Sequence, residues 1–356
     1  MAFAVQNTFS IDAFGGDNAP RAVLGGLNQF LFAEPELSEK IRFRIFGDRD
    51  RIGALMSRYP RVMAKCDIVH APDIVNNNDK VRDAVRKVDS SMFAAIKDVR
   101  DGNSCGIISA GNTGALMALS KLALKTVEGI SRPAITTMLP SGTGNTRVVM
   151  LDLGANAECD EENLVDFAVL GSAYSKTLGG ASRPRVGLLN IGEEDQKGDE
   201  TLRNVNEAFK NNIDSLPFEY VGFVEGNDIS SGEIDVVVTD GFTGNVVLKT
   251  IEGTARLMKR VMKETFAKSI LAICVSFALL HVFKRLKSKI DPRNYAGAAF
   301  IGLNGFVVKT HGNSDALAFA NAVKYAVQMS RADYNAEIRR DVALMGKVKE
   351  GLRNGR

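Results

Sequence analysis

Arg147-Val148-Val149-Met150-Leu151-Asp152-Leu153-Gly154-Ala155-Asn156 is the stretch that decides the fold. Its first half is a near-continuous apolar run, the pattern of a strand buried on both faces. The run breaks into a glycine turn, and an amphipathic helix begins at Glu161. Val236-Val237-Val238 repeats the pattern and ends in Thr239-Asp240-Gly241-Phe242-Thr243-Gly244-Asn245. Strand, glycine turn and helix in alternation predict an α/β fold, a mainly parallel sheet with helices on both faces.

Working outward, strands are expected at 8–13, 41–46, 67–71, 106–109, 134–138, 185–191, 220–224 and 305–309. Helical periodicity covers 20–32, 79–99, 112–124, 161–178, 199–211, 244–267 and 314–345. Residues 1–346 read as one α/β unit, with a bilobal arrangement left open. The tail 347–356 carries Lys347, Lys349, Arg353 and Arg356 with little apolar periodicity, and is expected to fray.

The chain has 356 residues, 45% hydrophobic and 24% charged, the balance of an ordinary globular protein. A net charge of +3, no tryptophan and no basic patch interleaved with aromatics give no footing for nucleic acid. The four cysteines stand alone, and neither they nor the three histidines show a metal-ligand spacing, so no metal or cofactor is expected. Residues 1–6 show no secretory signal, and the apolar run 270–283 is shorter than the ~20 residues that span a bilayer. A cytoplasmic enzyme is the expectation.

Four glycine turns follow expected strands, where open α/β sheets bind ligands. The first, Asp12-Ala13-Phe14-Gly15-Gly16-Asp17-Asn18-Ala19-Pro20, permits close ligand approach, or is a plain turn with Asn18 capping a helix. In Ser109-Ala110-Gly111-Asn112-Thr113-Gly114, small residues at a helix start leave N–H groups and the helix dipole open to an anion. The turn at Asp152–Glu158 offers Asn156, which a turn role explains equally well. The turn at Thr239–Asn245 presents Gly241, Thr243, Gly244 and Asn245 as uncharged donors. A fifth stretch, Asn190-Ile191-Gly192-Glu193-Glu194-Asp195-Gln196-Lys197-Gly198, reads as a solvated acidic loop or as part of the same site. A phosphate-type ligand is the best joint explanation. No GxSxG elbow is present. His311, in Thr310-His311-Gly312-Asn313-Ser314-Asp315, reads more simply as part of a turn capped by Ser314 than as a catalytic base. A reaction needing no protein nucleophile fits, with the anion itself attacking.

These motifs, together with Ala84-Val85-Arg86-Lys87-Val88-Asp89-Ser90-Ser91-Met92, closely resemble those of the phosphate acyltransferases, which make acyl phosphate from acyl-acyl carrier protein. The resemblance implies a homodimer with a fold similar to isopropylmalate dehydrogenase and phosphate acetyltransferase, acting at the first step of phospholipid synthesis. It makes Lys197 and Asn245 the leading catalytic candidates. Gly15, Gly16, Asp17, Arg86, Lys87, Ser90, Ser91, Gly111, Asn112, Thr113, Gly114, Asn156, Gly241, Thr243, Gly244 and His311 become candidates for binding phosphate or substrate. One departure stands out: where the family usually has a proline, this chain reads Asn78-Asp79-Lys80-Val81.

From Arg256 to Arg293, ten Lys/Arg face Glu264 and Asp291, a local +8 that leaves −5 for the rest of the chain. Between the basic flanks lies the apolar run of Leu271, Phe277 and Leu280, followed by Lys284, Arg285 and Lys287. A core helix with charged ends is one reading. The other is a protruding helical hairpin that meets anionic lipid and docks an acidic acyl carrier protein. The resemblance favours the second, which would place the product at the inner face of the cell membrane, near a downstream glycerol-3-phosphate acyltransferase.

Overall fold

The computed structural model describes residues 7–142, 146–267, 297–331 and 334–354. In chain order the elements are β1 (Thr8–Asp12), α1 (Arg21–Ala33), α2 (Pro35–Ser38), β2 (Arg42–Gly47), α3 (Arg49–Met56), α4 (Pro60–Lys65) and β3 (Cys66–His70). Then come α5 (Val81–Ala84), α6 (Ser91–Arg100), β4 (Gly106–Ser109), α7 (Thr113–Leu124), β5 (Ala134–Pro140), β6 (Arg147–Leu151), α8 (Glu161–Gly179) and β7 (Arg185–Leu189). The chain continues through α9 (Glu200–Asn211), β8 (Glu219–Val224), β9 (Val236–Val238), α10 (Gly241–Ala267), β10 (Ala298–Ile301) and β11 (Phe306–Lys309). It closes with α11 (Ala316–Ser330), α12 (Tyr334–Leu344) and α13 (Gly346–Asn354).

The eleven strands form one sheet in the order β3-β2-β1-β4-β11-β10-β5-β6-β9-β7-β8. Pairing is parallel from β3 to β11 and again from β6 to β8. Between these runs, β10 is antiparallel to both neighbours and β5 is antiparallel to β6. Strand direction therefore reverses across the middle, and the carboxyl ends of β1, β4 and β11 point to one edge while those of β6, β9 and β7 point to the other.

Three cores fix the layers. On one face Ile107, Val307, Ile135, Met150 and Val237 share a core with Ile96 of α6, Leu116 of α7 and the partly buried Val247 and Leu248 of α10. This core runs across both halves of the sheet. On the other face Phe9, Ile11 and Phe43 pack against Leu24 and Leu27 of α1 and Phe319 of α11. Val149, Leu151 and Val236 pack there against Phe167 and Leu170 of α8 and Phe209 of α9. Each large side chain fully buried this way stabilises by about 2 kcal/mol.

The expected strands all appear, and β10 is added to them. Helix 79–99 is divided: α6 starts afresh where Ser90 Oγ accepts from Phe93 N at 3.3 Å. Helix 314–345 is likewise divided into α11 and α12. Asp315, not Ser314, caps α11 through Ala318 N, and Asn18 donates to Asn313 O and Ser314 O instead of capping α1. The tail expected to fray is helix α13. Val348 is buried and Leu352, one turn on, packs on the same core, while Lys349 Nζ bonds Gly129 O at 2.7 Å and pairs with Asp166 and Arg353 Nη2 holds Glu162 Oε1 at 2.6 Å. The apolar centre of the expected tip and its contact residues Leu271, Phe277, Leu280, Lys284, Arg285 and Lys287 lie outside the described residues. No described helix is long and apolar enough to cross a membrane.

Candidate active site

Because β1, β4 and β11 are parallel neighbours, Asp12, Ser109 and Lys309 end their strands side by side. Asp12 is buried and accepts from Ser91 Oγ at 2.6 Å and Ser109 Oγ at 2.7 Å. Burial pushes its carboxyl up from the ordinary value, and the two hydroxyls pull it back. Gly111 N donates to Ser109 Oγ at 3.0 Å. A Cβ on Gly15 would sit 2.5 Å from Asp12 Oδ2 and 2.7 Å from Gly111 N, so the first turn lies on the second. Gly16 adopts φ 96°, the left-handed region that favours glycine, and Asp17 N donates to Gly312 O at 2.7 Å.

Most polar candidates here already have partners. Asn112 caps α7 through Ala115 N at 3.0 Å while its Nδ2 donates to Asn77 O at 2.8 Å and Asp79 O at 3.1 Å. Asn77 donates to Asp17 Oδ1 at 2.6 Å. Lys87 Nζ holds Asp79 Oδ2 at 2.6 Å and Ile74 O at 2.8 Å, and its bond keeps the Asp79 carboxyl below the ordinary value. Ser90 Oγ donates to Lys87 O at 2.7 Å. Arg86, Thr113 and Gly114 are exposed, the last two in the first turn of α7.

The second group gathers at the carboxyl ends of β6 and β9. Asp152 is buried and accepts five hydrogen bonds. Ile135 N, Gly154 N and Ala155 N reach Oδ1 at 2.9, 3.2 and 3.0 Å; Asn156 N and Nδ2 reach Oδ2 at 2.7 and 2.9 Å. Asn156 Nδ2 also donates to Pro133 O at 2.9 Å, and Asn156 O accepts Gly241 N at 2.8 Å, which seats the start of α10. Thr243 donates through N and Oγ1 to Asp240 at 2.8 and 2.7 Å. Gly244 packs on Asp152 O with no room for a side chain, and Gly154 packs against Asn245.

Asn245 stands exposed in the first turns of α10, with no hydrogen-bond partner among the described residues. Lys197 is exposed as well, and its Nζ meets no partner among the described residues. It follows β7, which pairs with β9 in register Leu188↔Val238, so both side chains issue from one edge of the sheet. The backbone of Lys197 is held by Glu194 O at 2.9 Å, and Asn190 is buried beneath Gly198.

The two groups thus sit at opposite edges rather than sharing one carboxyl edge, and α10 runs between them. Gly241 to Glu252 rises about 16 Å along the helix axis, close to the ~15 Å length of these strands. At that point Glu252 Oε1 lies 3.4 Å from His311 Nε2, beside the carboxyl end of β11. Burial pushes the Cys105 and Cys159 thiols up to about 12, so neither is a ready nucleophile. Sequence reasoning left out Asp12, Ser109, Asp152, Lys249, Glu252 and Lys309. The readable signal was a lone carboxylate or lysine ending an apolar run, as in Ile11-Asp12, Leu151-Asp152 and Val308-Lys309.

Residues 8–337 match the family described as fatty acid synthesis protein. The chain is 45% identical over 335 residues to the phosphate acyltransferase of Paramagnetospirillum magneticum, covering 94% of this chain and 93% of that one. It is 42% identical over 345 residues to that of Maricaulis maris, covering 96% and 97%. Among solved structures it is similar to a phosphotransacetylase from Streptococcus pyogenes, with TM-score 0.58, 15% identity and coverage of 93% and 98%. It is also similar to a 4-hydroxythreonine-4-phosphate dehydrogenase from Klebsiella pneumoniae, with TM-score 0.50, 12% identity and coverage of 91% and 98%. These two likenesses concern the fold.

Proposed function

The chain belongs to the phosphate acyltransferase family, enzymes of acyl transfer to phosphate, and from that premise we propose that its donor is a long-chain acyl-acyl carrier protein and its product an acyl phosphate. A phosphate oxygen attacks the thioester carbonyl carbon. The tetrahedral intermediate collapses with cleavage of the C–S bond, and the carrier leaves as its thiolate. The observation that carries this reading is that Lys197 and Asn245 are exposed and uncommitted at one sheet edge, while most neighbouring polar groups are already bonded. Lys197 holds the phosphate as a point charge, and the Asn245 carboxamide donates to the developing oxyanion. The start of α10 adds the positive end of its dipole.

The exposed Arg256, Lys259, Arg260 and Lys263 on α10 support docking of an acidic carrier on this helix, and a homodimer resting on the inner membrane surface fits the same reading. The test is release of free carrier from a long-chain acyl carrier protein on addition of inorganic phosphate, with chelator present. Phosphate-dependent release that collapses by at least about 100-fold in both Lys197→Ala and Asn245→Ala supports the reaction and both roles. Release only from acetyl- or butyryl-coenzyme A overturns the donor. Full release in both variants overturns their roles.

A further inference from the structure

Asn245, Lys249, Glu252 and Arg256 recur at intervals of four, three and four, so they form one stripe along α10. Against this stripe sit His311 and Lys309. Glu252 is the hub. Its carboxylate lies 3.1 Å from Lys249 Nζ, 3.7 Å from Arg256 Nη1 and 3.4 Å from His311 Nε2, and it is only 13% exposed. Lys309 closes an otherwise apolar strand and is half-buried. Its Nζ donates to Thr310 O and meets no carboxylate among the described residues. Burial and the neighbouring Lys249 push the ammonium down to about 8. The His311 imidazole is also pushed down, by burial first and then by Lys309, Lys249 and Arg256, against the pull of Glu252.

Three permanent or near-permanent cations, Lys249, Arg256 and Lys309, therefore gather about His311, with Glu252 as the carboxylate beside it. One Glu252 holds Lys249 and Arg256 in place but leaves two positive charges uncompensated. A half-buried ammonium with only a carbonyl for company is costly unless an anion joins it. Lys249 and Glu252 lie only about 6 and 10 Å along the helix from Asn245, near enough for one ligand to reach both places.

We propose that Lys309, Lys249, Arg256 and His311, organised by Glu252, form a site for a phosphate group. The proposal rests on the acyl-transfer reading above. The group could belong to inorganic phosphate, captured here before it passes to Lys197, or to the phosphodiester of the carrier's prosthetic arm, long enough to reach from this cluster to Asn245, and kinetics separate the two.

The experiment uses the full chain and Lys309→Met, with Lys249→Ala as a second variant on the exposed side of the cluster and Lys309→Arg as the conservative rescue. Calorimetric titration with inorganic phosphate is run beside the kinetics, and melting curves establish that each variant is folded. A rise of tenfold or more in KM for phosphate in Lys309→Met, a matching loss of phosphate affinity, kcat within about threefold and recovery in Lys309→Arg assign the site to inorganic phosphate. The same rise confined to KM for the acyl carrier protein assigns it to the carrier's phosphodiester. Folded Lys309→Met and Lys249→Ala with both KM values and the phosphate affinity unchanged overturn the proposal, while leaving the acyl-transfer reading intact. If the wild-type protein releases no carrier at all, the acyl-transfer reading fails, and the titration of Lys309→Met still decides the site.

Discussion

Gly241→Ala tests whether the seating of α10 controls catalysis. Gly241 opens the helix, donates its N–H to Asn156 O at 2.8 Å and lies over the Asp152 carboxylate. An added Cβ would stand 2.5 Å from Asn156 O, 2.8 Å from Asp152 Oδ2 and 3.0 Å from Asn156 C, where ordinary contact begins at 3.4 Å. About 0.9 Å has to be found, and two of the three obstacles are backbone atoms in a turn that five bonds to Asp152 hold in place. The helix start must therefore give way. Asn245 is four residues on, one turn of a rigid element, and moves with it. Overpacking of this kind costs about 1–3 kcal/mol of stability, whereas a displacement near 1 Å at a reacting centre costs about 100-fold in rate. The expected result is a folded protein, melting a few degrees lower, with kcat for phosphate-dependent carrier release down about 100-fold. Gly53→Ala in α3, where an added Cβ meets nothing within 4 Å, is the matched control and should leave kcat unchanged. Gly241→Ala with wild-type kcat would refute the link between α10 seating and turnover.

Two further perturbations read the buried carboxylates. Asp152→Asn places an amide nitrogen where an oxygen now accepts at least two N–H groups, and loss of those charge-assisted bonds should lower stability by about 3 kcal/mol or more in urea unfolding; an unchanged midpoint would show that the turn does not depend on the carboxylate. Lys349→Met leaves the buried Asp166 with Ser131 N and Oγ at 2.7 Å but without its cation, and should cost about 3 kcal/mol by the same assay, whereas a loss below about 0.5 kcal/mol would mean α13 is held by Val348, Leu352 and the Arg353–Glu162 pair without it.

The buried strands were legible because burial on both faces writes itself as an apolar run, and Val148-Val149-Met150-Leu151 admits few other readings. Strand β10 was not: Ala298-Ala299-Phe300-Ile301 is short, and its identity rests on pairing with β5 and β11 rather than on its own pattern. The reversal of strand direction was hidden for the same reason, since a local run does not say which way its neighbour points. In the site, glycine turns and the uncommitted Lys197 and Asn245 could be singled out from residue type and family resemblance. The partners of Lys87, Asn112 and Asn156 could not, because Asp79, Asn77 and Pro133 reach them through the folded chain. His311 and Glu252, like Lys309 and Lys249, come together only once α10 crosses the face of the sheet, and no spacing along the sequence foretells that meeting.

The order of the strands also has a bearing on how the chain is made. The centre of the sheet, β11 and β10, is supplied by residues 298–309, long after β4 and β5 on either side have been synthesised. Until then the ribosome releases two incomplete half-sheets, each with an apolar strand bare along one side: Gly106-Ile107-Ile108-Ser109 on the first and Ala134-Ile135-Thr136-Thr137-Met138 on the second. Unpaired strands of that composition invite pairing with other nascent chains. The late strands act as a keystone, so a chain that stops before Ala298 should need chaperones to stay out of aggregates.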